Sequence, residues 1–352
     1  MNAAGARGKL IVLLATGTRP VVGAPIVRFT QSLSSVHPAL TYLRYACPIR
    51  GTLHFYTSQP DDDANKLVEA FRGRYPAVDV VVFRSGTEEI VAKLRSEKLA
   101  GRVKADVLLL ADAVTFEALK AEGLLERYRS PNVEAIPQAF VDPDGTYTGT
   151  KVMASIIVVN TKEVKTLPDS WRVFTSPEAR GKAMMPSPLY SGAAAYNLGV
   201  FVRQPEFGWK FYEDMKQNGV VVGKGNGGVL TAVAGGEKAY GMLVDFMAAR
   251  AKREGSPVEF VYPKEGVPAI TEPVAIVKGT KNIKAAQAFV DFILSEEGQK
   301  LEAELGYTPI RPGIAPPEGM RPAESLQVLG ADPKEMARTR EAEKEKFAAL
   351  FR

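Results

Sequence analysis

The sequence predicts an α/β fold built on a parallel sheet, and three observations predict it. From residue 51, short apolar runs alternate with stretches of helical period in the order strand–helix–strand–helix–strand–helix. The turns between them are short, which favours parallel strands covered by helices on both faces. Strand ends are repeatedly followed by small or hydroxyl-bearing residues that open a helix, where ligands of such sheets sit. At 352 residues and 45% hydrophobic, the chain has the length and composition of about two domains.

Taken in order, Gly51-Thr-Leu-His-Phe-Tyr56 reads as the first strand, with His54 at an alternating position, closed by Thr57-Ser-Gln-Pro60. Asp61 to Arg74 follows as a helix with Leu67, Val68, Ala70 and Phe71 on one face. Its Asp61, Asp62 and Asp63 suit the positive end of the helix dipole; three consecutive helical acids diverge too much for a good metal site. Val78 to Phe83 is a second strand, and Arg84-Ser-Gly-Thr87 opens a helix from Glu88 to Leu99. Asp106 to Leu110 is a third, ending at Ala111-Asp-Ala113 before a helix to Glu122.

Residues 126–149 are loop-like, and Thr146 to Asn160 reads as a hairpin or long strand pair. The chain is organised around the next junction. Lys182 to Pro186 is a buried strand, Ser187-Pro-Leu-Tyr-Ser-Gly-Ala-Ala-Ala195 follows, and Tyr196 to Val202 is an apolar helix. Gln204 to Gln217 is amphipathic, with Trp209, Phe211 and Tyr212 expected in the core. Val220 to Val222 is a strand, Gly223-Lys-Gly-Asn-Gly-Gly228 a junction, and Val229 to Ala234 a short helix. Ala239 to Val244 is a strand ending in Asp245; Val258 to Val261 and Pro273 to Val277 are further strands. Ile283 to Leu294 and Glu296 to Leu305 are closing helices, and residues 316–352 are Pro-rich, then charged and helical.

The junctions carry the candidate site. Thr57 and Ser58, then Ser85, Gly86 and Thr87, end the first two strands. Ser191, Gly192 and Ala193 form a second nest, and Asn226 and Gly227 a third. Free N–H groups of a helix N-terminus, with its dipole, favour an anion. Ser191 could cap its helix or give its hydroxyl to a ligand. Asp112 and Asp245, at two further strand ends, could take an ammonium or sugar hydroxyls, or could simply cap helices.

Composition excludes other classes. The formal charge of +5 is carried by residues 1–50, which hold Arg7, Lys9, Arg19, Arg28, Arg44 and Arg50 and no acid; the remainder sums to −1. A near-neutral body has no nucleic-acid footprint. One cysteine, Cys47, and two histidines, His37 and His54, leave no intramolecular disulfide, Cys-based metal cluster or Ser-His-Asp hydrolase. No catalytic residue, metal or cofactor is expected. Residues 1–50 look like a leader, with a short apolar run at Leu10-Ile-Val-Leu-Leu-Ala15 and no convincing lipoprotein box at Arg44-Tyr-Ala-Cys47. A misassigned start and a disordered arm are the other readings.

Residues 51–310 resemble the periplasmic solute-binding proteins of ABC importers, in the group of ferric-iron, phosphonate and sugar-phosphate binders. The resemblance is carried by Phe55-Tyr-Thr-Ser58, Ser85-Gly86, Ala105-Asp-Val-Leu-Leu109 with Asp112, Ser191-Gly192, Thr271-Glu-Pro-Val-Ala-Ile-Val277 and Ser295-Glu-Glu-Gly-Gln299. It implies a type II periplasmic-binding-protein fold: two α/β lobes joined by two crossover strands, closing like a hinge over a cleft. Lobe one would be residues 51–150 plus 271–315, lobe two residues 151–270, and 316–352 a C-terminal helical extension. It further implies a periplasmic, non-enzymatic, monomeric protein whose partners are a small anionic solute and a membrane permease.

For the ligand, the resemblance implies that iron binders present an adjacent tyrosine pair at the junction Leu243-Val-Asp-Phe-Met247. Phe246 and Met247 stand there, and neither offers the anionic oxygen that Fe(III) prefers. The expectation is therefore a phosphonate such as 2-aminoethylphosphonate, or a phosphate ester, with ferric iron as the alternative. A more distant alternative is an NAD-dependent oxidoreductase, since Gly223 to Gly228 matches GxGxxG after a strand. The helix after it is cut short by Gly235-Gly236, and the motif lies far from the first strand–helix–strand unit.

Overall fold

The computed structural model describes residues 49–352. The leader-like segment, with its apolar run, His37 and Cys47, lies outside the described residues apart from its last two positions.

The first sheet has four strands: β1 (Gly51–Thr57), β2 (Val78–Arg84), β3 (Val107–Leu109) and β10 (Val274–Ile276), in the order β10-β3-β1-β2. β1 pairs parallel with β2 and β3, as short strand–helix–strand connections require. β10 returns from far along the chain and pairs antiparallel with β3. The alternation of side chains explains the layers. Leu53 and Phe55 meet α1 (Asp61–Arg74) and α8 (Ile283–Leu294) through Leu67, Phe71, Phe289 and Phe292. On the opposite face, Tyr56, Leu108 and Leu110 meet α2 (Thr87–Leu99) and α3 (Ala113–Ala121) through Ile90, Leu94, Phe116 and Leu119.

The second sheet is organised by β4 (Lys151–Asn160), every residue of which is buried. The expected hairpin or strand pair at 146–160 is one long strand, because its partners come from elsewhere in the chain. It pairs antiparallel with β7 (Tyr240–Val244), β8 (Val258–Val261), β9 (Val267–Ile270) and β11 (Thr308–Pro309). β5 (Ala183–Pro186) pairs parallel with β7 and β6 (Val221–Gly223), and β12 (Val328–Leu329) adds to β9. One face carries α4 (Gly192–Arg203) and α5 (Gly208–Gln217), with Trp171, Phe201 and Phe211 in a buried aromatic cluster. The other carries α6 (Asn226–Ala234) and α7 (Asp245–Arg253), packed on Ile156 and Val158. Trp209 is only partly buried, whereas Phe211 and Tyr212 lie in the core as expected.

Two neighbouring segments connect the sheets. One leads into β4 and the other leaves β9, and they bond to each other: Thr150 donates to the Thr271 carbonyl at 2.9 Å, and Thr148 and Val274 form a bridge. The chain is thus two α/β lobes on a double crossover. After α9 (Glu296–Glu304), the C-terminal α10 (Pro333–Leu350) packs against both α3 and α4. No helix among the described residues is long and apolar enough to cross a membrane.

Candidate functional site

A cavity of about 420 Å³ lies where the strand ends of both lobes meet. The sequence around it explains its shape. Ser58 and Pro60 lead into α1, Gly86 and Thr87 open α2, Ser191 to Ala193 open α4, and Gly225 to Gly228 open α6; all of these line it. Ser191 Oγ accepts from Ala194 N at 3.3 Å, which leaves the Gly192 and Ala193 amides with no acceptor within α4. Asn226 Nδ2 donates to the same Ser191 Oγ at 3.2 Å, tying the α6 start to the α4 start.

The junctions of the two lobes touch. Glu88 N donates to the Tyr190 carbonyl at 3.3 Å. A Cβ on Gly86 would stand 2.5 Å from that carbonyl oxygen, and one on Gly192 would stand 2.8 Å from Thr87 and Ala111. Only glycine permits this approach without displacing backbone. Tyr190 is shared: its ring also faces Gly225, and the Lys224 ammonium sits 4.5 Å from its centroid. Lys224 and Arg84 are the basic side chains of the cavity, and Arg84 is held by its Nε donating to the Gln59 carbonyl at 2.8 Å.

Of the twelve residues the sequence pointed to, eight line the cavity: Ser58, Gly86, Thr87, Ser191, Gly192, Ala193, Asn226 and Gly227. Four do not. Thr57 is fully buried, its Oγ1 accepting from Gln59 N at 3.1 Å. The Ser85 hydroxyl donates to Glu89.

Asp112 caps α3, accepting from Thr115 N at 3.0 Å, and its two oxygens also take Arg340 at 2.7 and 3.1 Å. Arg340 reaches Glu88 as well, at 2.7 Å. Burial would raise the Glu88 carboxyl, but Arg340 and Lys344 override it and hold it below its ordinary value. Asp245 is buried, accepting from Phe246 N at 2.9 Å and the Tyr262 hydroxyl at 3.1 Å. Burial pushes its carboxyl up to about 7 despite those bonds. Both aspartates thus serve the framework: Asp112 caps α3, whereas Asp245 is the first residue of α7 and bonds Phe246 N and the Tyr262 hydroxyl without capping the helix.

The sequence reading missed other lining residues. Arg84 and Lys224 sit inside motifs that were singled out, so their position was a usable signal. Met153 and Ile270, partners across β4 and β9, gave none. Glu272 lines the cavity with φ of 37°, a left-handed conformation strained for a side chain without Gly's freedom. It is anchored by its N–H to the Ala111 carbonyl at 3.1 Å and by its own carbonyl, which accepts Thr150 Oγ1 at 2.8 Å. Its carboxylate lies 2.7 Å from the buried Lys151 ammonium, which also meets Glu302 at 2.8 Å.

Gly223–Gly228 connects edge strand β6 to an α6 of nine residues, and Gly225, Gly227 and Gly228 line this cavity.

The family model for bacterial extracellular solute-binding proteins matches residues 103–330, and the chain belongs to that family, the binding components of ABC importers. An uncharacterized protein of Haemophilus influenzae is 30% identical over 271 residues, spanning 73% of this chain and 77% of its own length. A putative 2-aminoethylphosphonate-binding periplasmic protein of Salmonella typhimurium is 24% identical, spanning 68% and 72%. Among solved structures, the periplasmic binding protein AfuA from Actinobacillus pleuropneumoniae, with fructose-6-phosphate bound, superimposes with a TM-score of 0.79 at 25% identity. That match covers 86% of this chain and 98% of AfuA.

Proposed function

We propose that this protein captures a small organic anion, a phosphonate or phosphate ester, outside the cytoplasm and delivers it to the membrane permease of an ABC importer. One observation carries the reading. The first turns of α2, from one lobe, and of α4 and α6, from the other, open on one cavity together with Arg84 and Lys224. Amides with no acceptor in their own helix, aligned dipoles and two cations form a site for an anion of concentrated charge. Because the donors come from both lobes, a bound anion holds the lobes together, and hinge closure follows from the site's chemistry. No chemistry is asked of the protein beyond binding and release.

Ferric iron is a weaker fit. Phe246 and Met247 line the cavity where anionic oxygens would be needed, and the Tyr307 hydroxyl is committed to Asp63 at 2.6 Å. Calorimetric titration of the purified protein with inorganic phosphate, n-propylphosphonate, 2-aminoethylphosphonate and ferric citrate tests the reading. Saturable binding of at least one phosphorus anion, weakened by Lys224→Ala, is expected. Tight ferric binding with no response to any phosphorus anion would overturn it.

A further inference from the structure

The cavity has two unlike walls. The polar wall is continuous: Tyr190 meets Gly86 and Gly225, the chain runs from it through Ser191 to Gly192, Gly192 meets Thr87, and Asn226 bonds Ser191. The other wall is apolar and equally continuous. Ala111, Met153, Ala193, Val244, Phe246 and Ile270 belong to one packed cluster, with Met247 against it, and all of them line the cavity. The polar side chains at its border are already engaged. Glu272 faces Lys151 at 2.7 Å, and the Tyr307 hydroxyl donates to Asp63 at 2.6 Å under the Phe246 ring. Asp112 and Asp245, the carboxylates that would have received an ammonium or a sugar hydroxyl, are bonded within the framework. The remaining carboxylate, Asp61, is exposed and is no part of the apolar cluster.

Resting on the anion reading above, we infer that the solute is an amphipathic anion: a phosphorus oxyanion seated on the polar wall, carrying a short alkyl or aryl body against Met153, Val244, Phe246, Met247 and Ile270. Inorganic phosphate leaves that wall uncovered within a cavity of about 420 Å³. Each methylene laid against it adds roughly fourfold in affinity. Each sugar hydroxyl or ammonium placed there without a partner loses roughly tenfold or more. Selectivity is therefore set by the absence of hydrogen-bond partners on one wall as much as by donors on the other.

The test uses isosteres. n-Propylphosphonate and 2-aminoethylphosphonate have the same shape and differ in a terminal methyl against an ammonium. Calorimetry on the whole protein should find n-propylphosphonate and phenylphosphonate at least about tenfold tighter than 2-aminoethylphosphonate, glucose 6-phosphate and inorganic phosphate. Met247→Gln, at a half-buried position, should shrink the propyl-to-aminoethyl ratio to about threefold or less, with thermal unfolding confirming that the variant folds. If 2-aminoethylphosphonate or glucose 6-phosphate binds as tightly as n-propylphosphonate, the anion reading stands and this inference falls. An unchanged ratio in the Met247 variant removes the apolar wall as its cause. If no phosphorus anion binds at all, both readings fall.

Discussion

Gly86 and Gly192 let the first turns of α2 and α4 approach across the cleft, and that contact brings separate donors into one site. The backbone of Gly86 is extended, with φ of −65°, so a side chain there is not strained in itself and acts only through Tyr190, whose carbonyl and ring it would strike. Gly86→Val is therefore expected to fold and to bind n-propylphosphonate at least about tenfold more weakly, because closure is blocked. Calorimetry beside a thermal melt checks both halves.

A second residue-scale prediction concerns Asp245. Its carboxyl rises from an ordinary 3.8 to about 7 through burial. The folded protein then holds a proton that the unfolded chain has released between those values. Asp245 thus favours folding most below its unfolded value, and that contribution is lost as pH rises towards 7, at up to about 1.4 kcal/mol per pH unit. Asp245→Asn should gain stability relative to the parent between pH 5 and pH 8 in denaturant melts; an equal difference at both pH values would contradict the assignment. At this scale the sequence showed the small residues, since Ser-Gly before a helix has a mechanism. It did not show that both aspartates were committed elsewhere. The partner of Asp112, Arg340, lies 228 positions away, and no local pattern announces it.

Helix α10, expected only as part of a C-terminal helical extension, packs against α3 and α4. Met336 packs against Gly199 of α4, and Phe347 enters the aromatic cluster of the second lobe. Between them, Arg340 is buried against Glu88 at the start of α2 and Asp112 at the start of α3. The two acids sit behind the cavity wall, so α10 holds the frames of α2 and α3 in place. Removing one partner of such a buried group leaves uncompensated charge and costs about 3–5 kcal/mol. Arg340→Met should show that loss in urea unfolding, and adding Asp112→Asn should restore part of it. A loss below about 1 kcal/mol would mean the pair is wet and of little consequence. Helices α1 and α8 were legible to their last residue, because their apolar faces recur at helical period and acids or Ser mark their ends. Strand β9 was not, since Val267-Pro-Ala-Ile270 is short and interrupted by proline.

For the whole molecule, the parallel strand–helix units of the first lobe follow from local pattern. The second sheet follows from β4, whose four antiparallel partners no sequence window contains. The two-lobed arrangement was reached through resemblance, and the sheets bear it out. Two lobes on a double crossover, with anion donors on each, predict a smaller radius of gyration by solution scattering when a binding phosphonate is added. No compaction at saturation would mean that the cleft does not close on its ligand.

The most direct measurement is a crystal structure grown with n-propylphosphonate. The account predicts the phosphonate oxygens within hydrogen-bond reach of the amides of Thr87, Gly192 and Ala193, with Lys224 or Arg84 nearby and the propyl chain towards Met153 and Ile270. A phosphonate bound elsewhere, or bound in this cavity with its oxygens turned to the apolar wall, would contradict it.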